Sequence, residues 1–187
     1  MTIEYYNENA EDFYEFTVNA DLSEQYKFFT KYLPSNGVLL DCGCGSGRET
    51  KHFMEQGYEV VALDASEELC KKAEELTDAE VLCMRFDEIE WEDRFDGIWA
   101  CASLLQVPSD ELPDVFRRLS RALKPKGILY VSFKLGGYEG ERDGRFYTDL
   151  NEDGLRKLID PGLMVLETYI SEDVRLDRNE KWLNAII

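Results

Sequence analysis

The chain has 187 residues, enough for one domain with a sizeable core and no need of metal or disulfide support. Its 39 acids outnumber 21 Lys and Arg, and no basic run interrupts the formal charge of −18, so its field repels nucleic acid, anionic membrane and polyanionic substrates. Five scattered cysteines without a Cys-x-x-Cys pair, a lone histidine, no leader-like start and no bilayer-length apolar run exclude a zinc site and a membrane span, and fit a reducing cytoplasmic setting.

The first third is rich in aromatic residues and reads as two helices, near residues 9–18 and 22–33. Tyr26, Phe29 and Leu33 share a face of the second, and Pro34 to Gly37 stop it. From Val38 onward apolar strands alternate with amphipathic helices. The strands fall at Val38–Asp41, Glu59–Leu63, Ala79–Met84, Asp96–Ala100 and Ile128–Phe133. One helix runs from Ser46 to about Gln56, where Gly57 ends it. Ser66 caps a second, with Leu69, Ala73 and Leu76 on one face. Ser109 caps a third, whose stripe is Leu112, Val115, Phe116, Leu119 and Leu123. Such alternation gives right-handed β-α-β units and a parallel sheet covered on both faces. The loop after the fifth strand, from Lys134 to Tyr147, is glycine-rich and reads as a mobile flap. A helix near Asn151–Ile159 follows. Two runs at Leu163–Val174 and Lys181–Ile187, joined by a short polar turn from Arg175 to Glu180, must pair antiparallel. No internal repeat or linker divides the chain, so residues 1–187 form a single domain, with 1–36 as a helical cap and 37–187 as the sheet.

The stretch Val38-Leu39-Leu40-Asp41-Cys42-Gly43-Cys44-Gly45-Ser46-Gly47-Arg48 is a buried strand turning tightly into a helix. Its glycines let the backbone approach a ligand, and the helix start offers free N–H groups. The dinucleotide fingerprint places a third glycine at position 48, which here is arginine. A phosphate-binding loop ends in Gly-Lys-Ser/Thr, which is also absent. Asp41 before the loop repels a pyrophosphate and attracts an amino group or cation. Asp64 closes the second strand about twenty residues beyond the loop, where a carboxylate reaches ribose hydroxyls. Asp87, after Phe86, follows the third strand and suits an adenine amine.

With these residues in order, the chain resembles the class I S-adenosylmethionine-dependent methyltransferases. The resemblance rests on Leu39 to Gly47, Asp64-Ala65-Ser66, Phe86-Asp87, Phe95 to Leu105 and Lys124 to Leu129. Within that family it is most similar to small stand-alone bacterial proteins of the tellurite-resistance-like group. The resemblance implies a Rossmann-like, doubly wound α/β fold whose seven-stranded, mostly parallel sheet ends in an antiparallel strand, with a helical lid at the N-terminus. It implies S-adenosylmethionine as cofactor, with S-adenosylhomocysteine as product. Asp41 and the backbone of Gly43, Cys44 and Gly45 face the methionine part. Asp64 holds both ribose hydroxyls, Ala65 lies against adenine and Asp87 binds its amine. Cys101, Ala102 and Leu105 line the adenine and sulfonium region.

Structural readings compete at several positions. Ser66 is an N-cap, a role compatible with an adenine contact. Arg48 is either a solvated helix residue or a partner of the methionine carboxylate. His52 and Asp96 are structural. Tyr6 is the best contact from an N-terminal segment that closes the pocket as a lid, and the flap after the fifth strand, with Arg142, Arg145 and Tyr147, faces the acceptor in this architecture. No residue stands out as a general base, so none is assigned as catalytic. The small chain leaves little room for a substrate domain, which favours a small-molecule acceptor. The alternative is a non-catalytic protein that binds S-adenosylmethionine as a regulator. A nicotinamide-dependent oxidoreductase is disfavoured by the glycine spacing.

Overall fold

The computed structural model describes residues 2–175 and 179–187. A seven-stranded sheet carries strands β1 (Val38–Cys42), β2 (Glu59–Asp64), β3 (Val81–Cys83), β4 (Phe95–Ala100), β5 (Leu123–Lys134), β8 (Glu167–Glu172) and β9 (Lys181–Ile186), in the spatial order β3-β2-β1-β4-β5-β9-β8. Strands β1 to β5 pair in parallel, and β9 lies antiparallel between β5 and β8. The chain order reverses at β1, where neighbours β2 and β4 come from opposite windings. Ligands bind at such a switch point, beyond the carboxyl ends of the strands.

Side chains alternate across the pleat, so each strand feeds two cores. Leu40, Ile98 and Leu129 pack with Val115, Phe116 and Leu119 of helix α6 (Leu112–Ala122) on one face. Their neighbours Leu39, Trp99 and Tyr130 pack on the other face against Phe29 of α3 (Ser23–Thr30) and Phe53 of α4 (Arg48–Glu55). Trp99 and Tyr130 stack with centroids 4.1 Å apart. Helix α5 (Glu67–Thr77) covers β3 beside α4. Asp96 accepts from the Val38 amide at 2.8 Å and from Lys124 Nζ at 2.7 Å, the structural role expected of it. His52 stacks on Tyr26 at 4.0 Å and is likewise structural.

Four expectations are corrected. The N-terminal region holds three helices rather than two: α1 (Thr2–Glu8) and α2 (Ala10–Thr17) precede α3. Ser109 does not cap α6, whose N-cap is Glu111 with a proline in the first turn. Ser109 instead donates its hydroxyl to Glu139 Oε2 at 2.7 Å. The segment expected as a flap holds the hairpin β6 (Glu139–Arg142) and β7 (Arg145–Thr148). Its two turn residues, Asp143 (φ 51°) and Gly144 (φ 76°), both adopt positive φ, the type I′ pattern that matches strand twist. The third strand is shorter than residues 79–84, and the middle of the expected 175–180 turn lies outside the described residues. Helix α7 (Glu152–Leu158) forms as expected, capped by Asn151.

Candidate functional site

Two cavities lie over the carboxyl ends of the strands and share a wall made of Tyr6, Phe13, Gly43, Gly45, Ala102 and Gln106. The larger, about 380 Å³, opens beside β2 and is lined by Asp64, Ala65, Ser66, Phe86 and Asp87. The smaller, about 170 Å³, opens toward β5 and β9 and takes in Cys44, Arg48, Cys101 and Leu105. Thirteen of the fourteen positions singled out in the sequence therefore line one cavity or both.

The exception is Asp41. It is 2% exposed and stands one layer behind the glycine loop, where its Oδ2 accepts from the Thr50 hydroxyl at 2.6 Å. Burial, reinforced by the charge of neighbouring Glu49, pushes its carboxyl up to about 8.

The amides of the glycine loop itself are taken up within the protein. The Gly43 and Cys44 amides both donate to the Leu63 carbonyl at 2.9 Å, and the Gly45 amide donates to Asp64 Oδ2 at 2.9 Å. What the glycines permit is close approach. At Gly43 (φ +84°) a Cβ would fall 2.4 Å from that of Ser103. At Gly47 (φ +83°) it would fall 2.8 Å from the Ala73 Cα, which sets the packing of α4 on α5. At Gly45 it would fall 3.1 Å from the Phe13 ring. Phe13 of α2 thus sits directly above the loop and meets Tyr6 edge-on at 5.3 Å.

Asp64 is held for presentation. Its second oxygen accepts from the Ser66 amide at 2.9 Å. Burial raises its carboxyl, opposed by the backbone hydrogen bonds from Ser66, Gly45 and Ala65. Ser66 caps α5 by accepting from the Leu69 amide at 3.2 Å and donates its hydroxyl to Asn7 of α1 at 2.7 Å. Cap and cavity wall coexist in one residue. Asp87 is exposed and paired with Arg85 at 2.9 Å, which lowers its carboxyl below the ordinary range. Arg48 is neither solvated nor aimed at the cavity alone: its Nε donates to Glu49 Oε1 at 2.8 Å and its Nη1 reaches the Thr17 carbonyl.

The smaller cavity contains no poised base among these groups. Burial pushes the Tyr6 phenol and the Cys101 thiol each up to about 12. Ser132, beside Cys101, accepts from the Ala102 amide at 2.8 Å and donates toward the Cys101 sulfur at 3.6 Å. Sequence reasoning missed Phe13, Gln106 and Ser132 as wall residues, whereas Arg145 and Tyr147 come from the segment expected to face the acceptor. The Asp143-Gly144 turn announces the hairpin that carries Arg145 and Tyr147. Among the described residues there is no cluster of three or more metal-ligating side chains, and no helix is long and apolar enough to cross a membrane.

Residues 40–131 match the family model of the methyltransferase domain. The Bacillus subtilis protein YqeM, designated a methyltransferase, is 29% identical over 132 residues, covering 65% of this chain and 53% of its own length. The Xenopus laevis N-terminal Xaa-Pro-Lys N-methyltransferase 1-B is 28% identical over 166 residues, covering 79% of this chain and 74% of its own. The chain thus spans from about half to three quarters of the length of these relatives. Among solved structures, the Burkholderia thailandensis 1,6-didemethyltoxoflavin-N1-methyltransferase, with 1,6-didemethyltoxoflavin and S-adenosylhomocysteine bound, superposes with a TM-score of 0.78 at 21% identity, over 98% of this chain and 83% of its own. A TehB-like S-adenosylmethionine-dependent methyltransferase of Corynebacterium glutamicum gives 0.70 at 19% identity, over 98% of this chain and 96% of its own. The strand order and the match over residues 40–131, just under half of the chain, make the chain similar to S-adenosylmethionine-dependent methyltransferases in sequence and in fold.

Proposed function

We propose that this protein binds S-adenosylmethionine across its two joined cavities and transfers the methyl group to a small acceptor. The observation that carries this reading is the placement of Asp64. Its carboxylate lies on the larger cavity and is braced by the amides of Gly45 and Ser66, with Gly43, packed closely against Ser103, alongside on the same wall.

These residues fit an adenosine moiety. Asp64 accepts from ribose hydroxyls, Ala65 and Phe86 border the base, and Asp87 at the rim takes its amine. Gly43, Gly45 and Ala102, common to both cavities, leave passage for the chain from ribose to methionine. Bound S-adenosylmethionine supplies an already activated methyl on a sulfonium. The protein's part is then to orient the acceptor and exclude water, which Phe13 and Tyr6 do from above. Burial holds the phenol of Tyr6 and the thiol of Cys101 protonated at neutral pH. The roofed, narrow second cavity favours a small molecule over a protein terminus, although the Xenopus relative is named for a protein substrate.

Calorimetric titration with S-adenosylmethionine and with S-adenosylhomocysteine tests the reading. Saturable binding of both is expected, weakened in Asp64→Ala without loss of the folded state. Folded protein that binds neither would refute it.

A further inference from the structure

The basic side chains on the wall of the smaller cavity differ in one respect. Arg48 pairs with Glu49, Lys134 with Glu180 and Arg175 with Asp173. Arg145 has no carboxylate partner among the described residues, although the chain carries 39 acids. Its Nε is buried and makes no hydrogen bond.

The guanidinium is boxed by aromatic rings instead, 4.7 Å from the Tyr5 centroid, 5.4 Å from Tyr147 and 5.9 Å from Tyr6. Stacking engages the faces of a guanidinium and leaves its N–H donors pointing outward in the plane, where the neutral Tyr6 hydroxyl is hydrogen-bonded to it and supplies no counter-charge. The mounting is rigid. Arg145 is the first residue of β7, directly after the type I′ turn, and its neighbour Phe146 donates its amide to Thr2 Oγ1 of α1 at 3.0 Å. A half-buried cation whose Nε is shut off from water, held in place without its counter-charge, is costly unless a ligand supplies that charge.

We infer that Arg145 is the carboxylate receptor of the smaller cavity, an aromatic-boxed guanidinium that takes a carboxylate group from a bound ligand. The inference rests on the methyl-transfer reading only for the identity of that ligand. Two sources offer the same chemistry: the methionine carboxylate of the cofactor, and an acidic acceptor. Since Arg48 is already engaged by Glu49, Arg145 is the wall cation open to either.

Calorimetry on the full chain and its Arg145→Gln variant separates the cases, with S-adenosylhomocysteine, 5′-methylthioadenosine, benzoate and benzamide as probes. The last three are, in turn, a cofactor fragment without the amino acid, an acid, and its neutral counterpart. Loss of a charge-assisted hydrogen bond from a buried site corresponds to about tenfold to a hundredfold in affinity. If the cofactor is the source, Arg145→Gln weakens S-adenosylhomocysteine by that factor and leaves 5′-methylthioadenosine unchanged. If an acceptor is the source, S-adenosylhomocysteine binds both proteins alike. In that case benzoate binds the wild type better than benzamide does, and the variant loses the preference. Arg145→Lys, which keeps the charge without the fork, falls between wild type and Gln and guards against a variant that misfolds. Unchanged S-adenosylhomocysteine binding together with no preference for benzoate, including no binding of either probe, overturns the inference. Absence of S-adenosylhomocysteine binding to the wild type refutes the methyl-transfer reading instead, and benzoate against benzamide then still decides the role of Arg145.

Discussion

Gly43→Ala tests the claim that the glycine loop exists for close approach. Two penalties meet at this position. The backbone φ of +84° is left-handed, which costs a residue bearing a Cβ about 1–2 kcal/mol. The new Cβ would also lie 2.4 Å from the Ser103 Cβ, and forcing an extra methyl into a packed site costs about 1–3 kcal/mol. The expected loss is about 2–5 kcal/mol, a large share of the roughly 5–15 kcal/mol typical of a domain. Urea unfolding of four proteins separates the two contributions: wild type, Gly43→Ala, Ser103→Gly and the double variant. Ser103→Gly alone forfeits the Ser103 hydroxyl donation to the Cys42 carbonyl at 2.6 Å, about 0.5–1.5 kcal/mol. In the double variant the contact is relieved but the backbone strain persists, so the two changes should be non-additive by about 1–3 kcal/mol. A Gly43→Ala protein within about 0.5 kcal/mol of wild type, or strict additivity, would refute the reasoning.

Two further predictions concern buried groups. Because the folded protein holds Asp41 protonated to higher pH than the unfolded chain does, wild-type stability falls as pH rises from the ordinary value of 3.8 toward about 8. Asp41→Asn should flatten that slope, and urea midpoints at several pH values that decline equally in both proteins would show the cause lies elsewhere. Ser66→Ala removes the cap of α5 and the tie to Asn7, and should cost about 0.5–2 kcal/mol. Hydrogen exchange of α1 should speed up in that variant, and unaltered exchange there would mean the tie does not hold the helix down.

The portion from Val38 to Phe133 was legible in the sequence because its signals are local. Glycine and proline punctuation, apolar runs and Asp64 at a strand end each act within a few residues. Helix α1 was not legible: its seven residues have too few turns to be stable alone, and contacts with α5 and β7 hold it. The β6–β7 hairpin did carry a local signal, Asp143-Gly144, but the surrounding glycines disguised it as a flap. The aromatic box around Arg145 joins residues 5, 6, 145 and 147, a long-range coincidence that no spacing rule anticipates. The glycine-loop amides are a further case, since only the pairing of β1 with β2 brings the Leu63 carbonyl beneath Gly43 and Cys44.

The position of β9 between β5 and β8 has a consequence for how the molecule is made. Every residue lining the larger cavity lies between Thr2 and Val115. The smaller cavity is not complete until Trp182 and Asn184 have been threaded into the gap beside β5. Val115 and Asn184 are separated by roughly 70 residues, on the order of 4–14 s of synthesis at about 5–20 residues per second. Strand β8 waits with them, since its only ladder in the sheet is with β9. The nascent chain therefore carries every described residue of the larger cavity seconds before the smaller one has its last wall. Were the proposed cofactor to bind the larger cavity in that interval, its binding energy would add to folding before the sheet is complete.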